Sequence, residues 1–135
     1  MVRTERLQLE LMRKIRILLT DDDTHLRLMM RHVLASLGMD VVAEAEDGEQ
    51  AIALYRQHQP DLVLLDIMMP KLTGKEALLA IRTEFPQAVV IMLSSLNDID
   101  TVQACLDAGA ANYIQKGSAL EEIKACILET WEAYQ

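Results

Sequence analysis

The sequence predicts a three-layer α/β fold, in which a doubly wound sheet of five parallel strands carries helices on both faces. Short, almost continuous apolar runs recur along the chain, and runs without polar alternation are typical of strands buried on both faces. Between them lie segments with helical periodicity, long enough to cross from one parallel strand to the next. Right-handed crossovers with helices on both faces favour the strand order 2-1-3-4-5.

Five apolar runs are the predicted strands, and residues that interrupt a strand bound each of them. In chain order the runs are 15–19, Val41–Ala45, Leu62–Leu65, Ala88–Leu93 and Asn112–Ile114. The first run ends at three consecutive aspartates, Asp21 to Asp23. The third is four apolar residues in a row, which is too short for a helix. It is followed by Asp66 and then by Pro70, a residue that cannot continue a hydrogen-bonded ladder.

Capping residues and glycines delimit the predicted helices. Thr24 is expected to cap the first helix, and Gly38 to end it. Three later helices begin with residue pairs that can cap each other reciprocally. These pairs are Asp47 with Gln50, Thr73 with Glu76, and Ser118 with Glu121. The fourth helix is predicted at about 99–108. The last is expected to turn four residues inward: Leu120, Ile123, Ile127 and Trp131. With these elements the sheet would be flavodoxin-like.

Residues 1–13 stand apart from the β–α repeats. Thr4 is suited to cap a short helix with Leu7 and Leu11 on one side, although the alternation of Leu7, Leu9 and Leu11 also fits a strand. We expect a helical extension at 1–13 and a single domain at 14–135. A chain of 135 residues, 51% of them hydrophobic, is long enough for that domain to bury a core.

Charge and cysteine usage argue against several classes of protein. The formal net charge is −8 and no cluster of lysines and arginines forms a basic face, so nucleic acid and anionic membranes are not expected as direct partners. No apolar run approaches the roughly 20 residues of a membrane span. Cys105 and Cys126 have no CxxC or CxxH neighbour, which predicts reduced cysteines in a cytoplasmic protein.

Aspartates follow two strands that the predicted order makes neighbours. Strands one and three flank the point where the strand order reverses, so Asp21 and Asp22 should approach Asp66 at the carboxyl edge of the sheet. Two carboxylates about 4 Å apart repel by roughly 4 kcal/mol at an effective dielectric of about 20, so three together require a cation or protons. Oxygen ligands that leave room for water suit Mg²⁺. Taken alone, three consecutive aspartates are also typical of a solvated turn.

The ends of strands four and five add a hydroxyl and an ammonium to the same edge. Ser94 ends strand four, and strand five leads into Lys116. Either residue alone has an ordinary interpretation, a helix-entry serine or a solvated loop lysine. Together with the three carboxylates they supply a nucleophile, a metal site, a hydrogen-bond donor and a fixed cation. That set suits transfer of a phosphoryl group, which depends on positioning and on charge neutralisation.

The chain resembles a response-regulator receiver domain of two-component signalling. The resemblance runs from about Lys14 to Tyr134. Four segments carry it: ILLTDDD at 17–23, DLVLLDIMMP at 61–70, VVIMLSS at 89–95 and GAANYIQKG at 109–117. The segments VVAEAEDGEQAIAL and KGSALEEIKACI are similar to those of receivers that precede helix-turn-helix output domains. Two residues depart from the usual pattern, since Ser94 stands where threonine is commoner and Gly117 where proline is frequent.

The resemblance implies a role for each residue of the acidic site. Asp66 would accept a phosphoryl group, as an acyl phosphate, from a sensor histidine kinase or a phosphotransfer protein. Asp22 would bind Mg²⁺ directly, Asp21 would help through the metal or its waters, and Met68 would contribute its backbone carbonyl. Lys116 would pair with a phosphoryl oxygen. Such a domain is not a conventional enzyme, although it catalyses its own phosphorylation and dephosphorylation.

The resemblance also implies a conformational switch, and the residues beside the site bear on the lifetime of the acyl phosphate. Ser94 would bond a phosphoryl oxygen, and Tyr113 would swing inward when that hydroxyl moves. The surface of the fourth helix, fifth strand and fifth helix would then change and contact an effector or a second copy in a homodimer. Met68 and Leu96 lie two residues past Asp66 and Ser94, and their apolar side chains predict that water is excluded from a long-lived acyl phosphate.

Other classes of protein fit these residues less well. The main alternative is a receiver that acts as a scaffold independently of phosphorylation. A haloacid-dehalogenase-type phosphatase also uses a strand-end aspartate with Mg²⁺. Its Asp-x-Asp-x-Thr/Val motif, begun at Asp21, would end on His25 instead. A carrier of FMN would need a phosphate-binding loop after strand one, where the aspartates would repel a phosphate.

Overall fold

The computed structural model describes residues 14–95 and 99–135, where five strands and five helices alternate. The bounds are β1 Arg16–Thr20, α1 Thr24–Ser36, β2 Asp40–Ala45, α2 Gly48–His58, β3 Leu62–Asp66, α3 Gly74–Glu84, β4 Val90–Ser94, α4 Ile99–Asp107, β5 Asn112–Gln115 and α5 Leu120–Ala133. The predicted helical extension at 1–13 and the prediction for Leu96 lie outside the described residues. Within them, no helix is long and apolar enough to cross a membrane.

The sheet has the predicted topology. Its order is β2-β1-β3-β4-β5, and all four strand pairs are parallel. Thr20 of β1 is in register with Leu65 of β3, so the residues that follow each of them emerge side by side. Ser94 of β4 is likewise in register with Gln115 of β5. The carboxyl ends of four strands therefore meet along one edge, with the reversal of strand order between β1 and β3.

Two apolar layers, one on each face of the sheet, form the core. Leu62 and Leu64 of β3 pack in the layer covered by α1 and α5. Val63 and Leu65 pack in the layer covered by α2, α3 and α4. All four are fully buried. Burial on both faces explains why this strand shows no polar alternation in the sequence.

One of the predicted capping pairs forms reciprocally, and a second forms in one direction only, because the Gln50 side chain accepts from the backbone nitrogen of Glu46 and not of Asp47. Asp47 accepts a hydrogen bond from the backbone nitrogen of Gln50 at 2.9 Å and caps α2. Thr73 and Glu76 bond each other's backbone nitrogens at 3.1 and 3.2 Å, the reciprocal arrangement of a capping box. The second of these helices follows directly on the segment after Asp66, so its cap also fixes where that loop ends.

The cap of α1 is not the predicted residue. Thr24 is the first residue of the helix, and Asp23 caps it by accepting hydrogen bonds from the backbone nitrogens of His25 and Leu26. A carboxylate is a strong acceptor for these unpaired nitrogens, and the third aspartate of the acidic run stands where it can reach them. The Asp23 carboxylate thus caps the helix, whereas the carboxylates of Asp21 and Asp22 can contribute to the predicted acidic site. Gly38 follows the end of α1 with φ +76°, as predicted.

The third predicted capping box is wrong. The N-cap of α5 is Ala119, which makes no side-chain hydrogen bond. The backbone nitrogen of Ser118 instead donates to the Gln115 carbonyl in the turn after β5. The helix therefore begins one residue later than predicted, and Glu121 falls one position short of its pairing place. Leu120 is 50% exposed on the first turn, not inward. The residues that α5 buries are Ile123, Ile127 and Thr130.

The strand bounds agree with the prediction to within one residue, except at the start of β4. β4 begins at Val90, two residues after the predicted start at Ala88. The Ala88 carbonyl accepts a hydrogen bond from the guanidinium of Arg82 at 3.0 Å, so it is taken by a side chain of α3. The carboxyl end of the strand, which carries Ser94, is not affected.

Candidate functional site

Three carboxylates converge where β1 and β3 end. Asp21 and Asp22 follow β1, and Asp66 is the last residue of β3. One oxygen from each lies within 4.8 Å of the others. Asp21 and Asp66 are 0% and 1% exposed, while Asp22 faces solvent. The site therefore has a buried floor of two acids and an open side at the third, which suits a group that enters from water.

Lys116 bridges the two buried carboxylates. Its Nζ lies 2.9 Å from Oδ2 of Asp21 and 3.0 Å from Oδ1 of Asp66. The backbone nitrogen of Lys116 donates to the carbonyl of Ser94 at 2.7 Å, which fixes the loop after β5 against the end of β4. The lysine is partly exposed, so its ammonium can serve both the buried acids and a group arriving from solvent.

Burial sets the ionisation of the central acid. Loss of solvent raises the pKa of Asp66 to about 7, and the charge of Asp21 adds to the rise, against the hydrogen bonds from Lys116 and from the Met68 backbone. Burial lowers the pKa of Lys116, but its hydrogen bonds to Asp21 and Asp66 outweigh this and hold that pKa above its ordinary value. A single ammonium thus leaves Asp66 only partly ionised near neutral pH. A divalent cation among the carboxylates would favour the charged form.

The donor set of the site fits such a cation. Oδ1 of Asp66 contacts Lys116 and accepts a hydrogen bond from the backbone nitrogen of Met68 at 3.3 Å. Oδ2 of Asp66 is buried and has no hydrogen-bond partner among the described residues. A buried carboxylate oxygen without a partner is costly, and a hard cation held by oxygen ligands would satisfy it. Asp21 and Asp22 supply the further oxygens.

A glycine that the sequence analysis did not single out holds the backbone of Asp66. A Cβ added to Gly74, the first residue of α3, would lie 2.1 Å from the Asp66 carbonyl oxygen. The backbone nitrogen of Gly74 donates to the Ile67 carbonyl at 2.7 Å. Only a residue without a side chain allows the start of α3 to pack this closely on the acid's own backbone. A glycine directly after the capping Thr73 was the available signal in the sequence.

Ser94 and Tyr113 lie beside one cavity at the edge of the site. Ser94 is buried, and its Oγ donates to the Ile114 carbonyl at 3.4 Å. Tyr113 is 45% exposed. A cavity of about 190 Å³ separates the fourth helix from these strand ends. Its lining residues are Ser94, Ser95, Ile99, Val102, Tyr113 and Gln115. The serine hydroxyl is thus bonded to β5, and Tyr113 borders the same empty space.

Met68 lies at the open rim. Its side chain is 61% exposed, and its backbone nitrogen is the group that contacts Asp66. The side chain makes no part of the buried floor, so any contribution to a metal falls to the backbone carbonyl. That contribution stays a prediction.

A buried arginine is the other residue that the sequence analysis missed. Arg27 of α1 is 8% exposed, and its Nη1 donates to the backbone carbonyl of Asp21 at 2.6 Å. The signal was its spacing, three residues before Met30 and seven before Leu34, both of which are core residues of the same helix face. The helical spacing alone does not reveal its ion pairs, because these come from Glu44 of β2 and Glu46 in the loop after it.

Comparison with known proteins gives consistent matches along most of the chain. The sequence profile of the response regulator receiver domain family matches residues 17–128. The chemotaxis protein CheY of Bacillus subtilis (strain 168) is 39% identical over 115 residues, which cover 85% of this chain and 96% of that protein. The probable transcriptional regulator ycf27 of Porphyridium aerugineum is 37% identical over 116 residues, or 86% of this chain and 48% of that protein.

Solved structures match in the same way. The structure of the CheX-CheY-BeF3-Mg+2 complex from Borrelia burgdorferi aligns with a TM-score of 0.82 at 30% identity, covering 87% of this chain and 89% of the other. The receiver domain of the putative response regulator NarL from Mycobacterium tuberculosis aligns with a TM-score of 0.80 at 33% identity, covering 88% and 97%. The chain therefore spans nearly the whole of some relatives and about half of others.

Proposed function

The chain belongs to the response regulator receiver domain family, and from this we propose that Asp66 is its phosphoacceptor and that Mg²⁺ binds beside it. The domain is a receiver of two-component signalling and not a conventional enzyme. The observation that carries the proposal is the convergence of Asp21, Asp22 and Asp66 within 4.8 Å, with Lys116 in contact with the two buried acids.

In the proposed reaction Asp66 is the nucleophile. A carboxylate oxygen of Asp66 attacks the phosphorus of a phosphohistidine in a kinase or phosphotransfer protein. The new O–P bond forms an acyl phosphate, the N–P bond breaks, and its electron pair returns to the imidazole nitrogen. The acid must be ionised to attack, and its raised pKa makes that depend on the cations around it.

The surrounding residues supply charge and orientation. Mg²⁺, held by Asp21, Asp22, Asp66 and the Met68 carbonyl, would offset the negative charge of the phosphoryl group. Lys116 already stands 3.0 Å from Asp66 and is placed to pair with a phosphoryl oxygen once the acid is modified. By these contacts the domain promotes both its own phosphorylation and the later hydrolysis.

Ser94 and Tyr113 would carry the signal away from the site. Ser94 gives up its 3.4 Å bond to the Ile114 carbonyl and donates to a phosphoryl oxygen instead. The cavity behind it then admits the ring of Tyr113, which starts from a half-exposed position. These movements alter the face made by α4, β5 and α5, where we expect an effector or a second copy of the chain to bind.

Receiver domains interact with histidine kinases or phosphotransfer proteins and with output domains. For this chain we propose a histidine kinase or phosphotransfer protein as the phosphoryl donor and the cytoplasm as its location. Neither Cys105 nor Cys126 has a CxxC or CxxH neighbour in the sequence, which supports a reducing compartment. The site supports phosphorylation better than the scaffolding alternative, because the acids, Ser94 and Lys116 all lie where strands end at one edge of the sheet.

The experiment is phosphorylation by a small donor. Incubation with acetyl phosphate and Mg²⁺ should add one phosphoryl group by intact mass, and Asp66→Asn should abolish the addition. Asp23→Asn is the matched control, since this aspartate only caps α1 and asparagine caps a helix equally well. Labelling of Asp66→Asn at the wild-type level would refute the assignment. A wild-type protein that takes up no phosphoryl group would favour the scaffold.

A further inference from the structure

We infer that Arg27 is a positioning residue for the cation site: its guanidinium holds the peptide group between Asp21 and Asp22, and so directs the Asp22 carboxylate toward Asp66. The inference rests on the proposed Mg²⁺ site and concerns a residue outside it. Arg27 lies on α1 and reaches no carboxylate of the cluster, so its action must pass through the backbone.

The backbone contact is specific to one carbonyl. Nη1 of Arg27 lies 2.6 Å from the carbonyl oxygen of Asp21. The other polar groups of Asp21 are held by different residues. Its nitrogen donates to the Ala45 carbonyl at 3.1 Å, and its Oδ1 accepts from the Asp23 nitrogen at 2.8 Å. Because the peptide group is planar, fixing this carbonyl also fixes the orientation of the nitrogen of Asp22.

That orientation matters because Asp22 is the exposed member of the cluster. Asp21 and Asp66 are held by burial and by Lys116, whereas Asp22 faces solvent. An exposed aspartate after a strand has many side-chain directions available. The fixed peptide group restricts where the Asp22 side chain leaves the backbone, and so limits the positions that its carboxylate can take. In this way a residue that is not itself a ligand can organise a metal site.

The charge of Arg27 is balanced elsewhere. Its Nε lies 3.2 Å from Glu44, its Nη2 lies 3.6 Å from Glu46, and Arg31 also contacts Glu44 at 3.1 Å. Two arginines and two glutamates therefore neutralise each other beside the site. The planar fork of the guanidinium directs separate N–H groups at the carbonyl and at the two glutamates, a fixed geometry that a compact ammonium lacks.

Electrostatics and positioning predict opposite effects for the loss of Arg27. Removing a positive charge near three carboxylates would tighten the binding of a cation. Loss of the hydrogen bond to Asp21 would release the peptide group and weaken binding. The sign of the change in Mg²⁺ affinity therefore distinguishes the two roles.

The test is a titration of the folded protein with MgCl₂, followed by backbone amide NMR, in parallel with urea unfolding. Arg27→Met should raise the Mg²⁺ dissociation constant about tenfold, the size of effect typical of residues that support a metal ligand. Arg31→Met removes a positive charge beside Glu44 without changing a contact to Asp21. Its Mg²⁺ dissociation constant should stay within about twofold of wild type.

Each outcome decides a different claim. If wild type binds Mg²⁺ and Arg27→Met binds it equally or more tightly, the inference is wrong and the proposed function stands, even if urea stability falls. If wild type itself does not bind Mg²⁺, the proposed site fails and the inference fails with it. Should Arg27→Met not fold, Arg27→Lys decides: several-fold weaker binding is expected from the loss of the fork, and wild-type affinity would overturn the role.

Discussion

Lys116 and Asp66 form a contact of 3.0 Å at the centre of the site, and the same ammonium lies 2.9 Å from Asp21. One positive charge therefore serves two buried negative charges. Burial, with the charge of Asp21 added, raises the pKa of Asp66 by more than this ammonium offsets, and the excess negative charge is why the site is expected to bind a cation.

The first prediction concerns pH. The pKa of Asp66 is about 7 in the folded protein, above the value of about 4 that an unfolded chain gives it. The folded state holds the proton more tightly, so its stabilising effect is complete below about pH 4 and is lost as the pH rises to about 7. Without Mg²⁺, the free energy of unfolding should fall by roughly 2 to 4 kcal/mol across this range through Asp66. Urea unfolding in EDTA at several pH values measures it, and Asp66→Asn should remove that part of the slope. An identical slope in the variant would contradict the burial effect.

The second prediction concerns metal and repulsion. Mg²⁺ should raise the melting temperature of wild type by mass action. Asp22→Asn should stabilise the metal-free protein by up to about 1 kcal/mol, because one of three close carboxylates loses its charge, and solvent and Lys116 limit the gain. The same variant should lose most of the response to Mg²⁺. A melting temperature that changes neither with Mg²⁺ nor with Asp22→Asn would argue against a clustered site.

The third prediction removes the bridging ammonium. Lys116→Met leaves Asp21 and Asp66 buried without their cation, so the free energy of unfolding at pH 8 should fall by about 3 kcal/mol. The loss should be smaller at pH 5, where Asp66 is protonated, and smaller again with Mg²⁺ present. Lys75→Met, at an exposed position of α3, is the control and should change stability by less than about 0.5 kcal/mol. Equal effects of the two substitutions would show that the bridge contributes nothing.

The fourth prediction compares two buried threonines. The Oγ1 of Thr20, at the end of β1, has no hydrogen-bond partner among the described residues. Thr130 of α5 accepts from Asn112 at 3.0 Å and donates to the Cys126 carbonyl at 2.7 Å. Thr20→Val should therefore raise the free energy of unfolding by about 1 kcal/mol, and Thr130→Val should lower it by about 1 to 2 kcal/mol. Urea unfolding of both variants checks this, and destabilisation by Thr20→Val would show that its hydroxyl is satisfied.

Much of this molecule was predictable because its strands are short and apolar throughout. The run Leu62–Leu65 required burial on both faces, and the helical segments between such runs favoured a parallel sheet covered by helices. The predicted strand order was enough to bring Asp21 and Asp66 together. The capping pair at Thr73 was a local pattern and formed as predicted, and Asp47 caps α2 without the reciprocal bond to the Gln50 side chain.

What the sequence analysis missed depended on contacts between distant segments. Arg27 is buried because glutamates of β2 and the loop after it neutralise it, and no local pattern shows that pairing. Gly74 is required by an approach of α3 to the backbone of Asp66 that spacing alone does not reveal. Ser118 was predicted to cap α5, but its backbone nitrogen donates to the Gln115 carbonyl in the turn after β5. The expectation that the Met68 side chain excludes water stays a prediction, and the structure places it at the rim, largely exposed.

The central claim is that Asp66, and no other residue of the cluster, receives the phosphoryl group. Borohydride reduces an aspartyl phosphate to homoserine, so peptide mass spectrometry of the reduced phosphoprotein identifies the modified position directly. After acetyl phosphate and Mg²⁺ we predict homoserine at position 66 alone, and none when EDTA replaces Mg²⁺. Homoserine at position 21, 22 or 23, or borohydride-resistant phosphate on Ser94, would contradict the account.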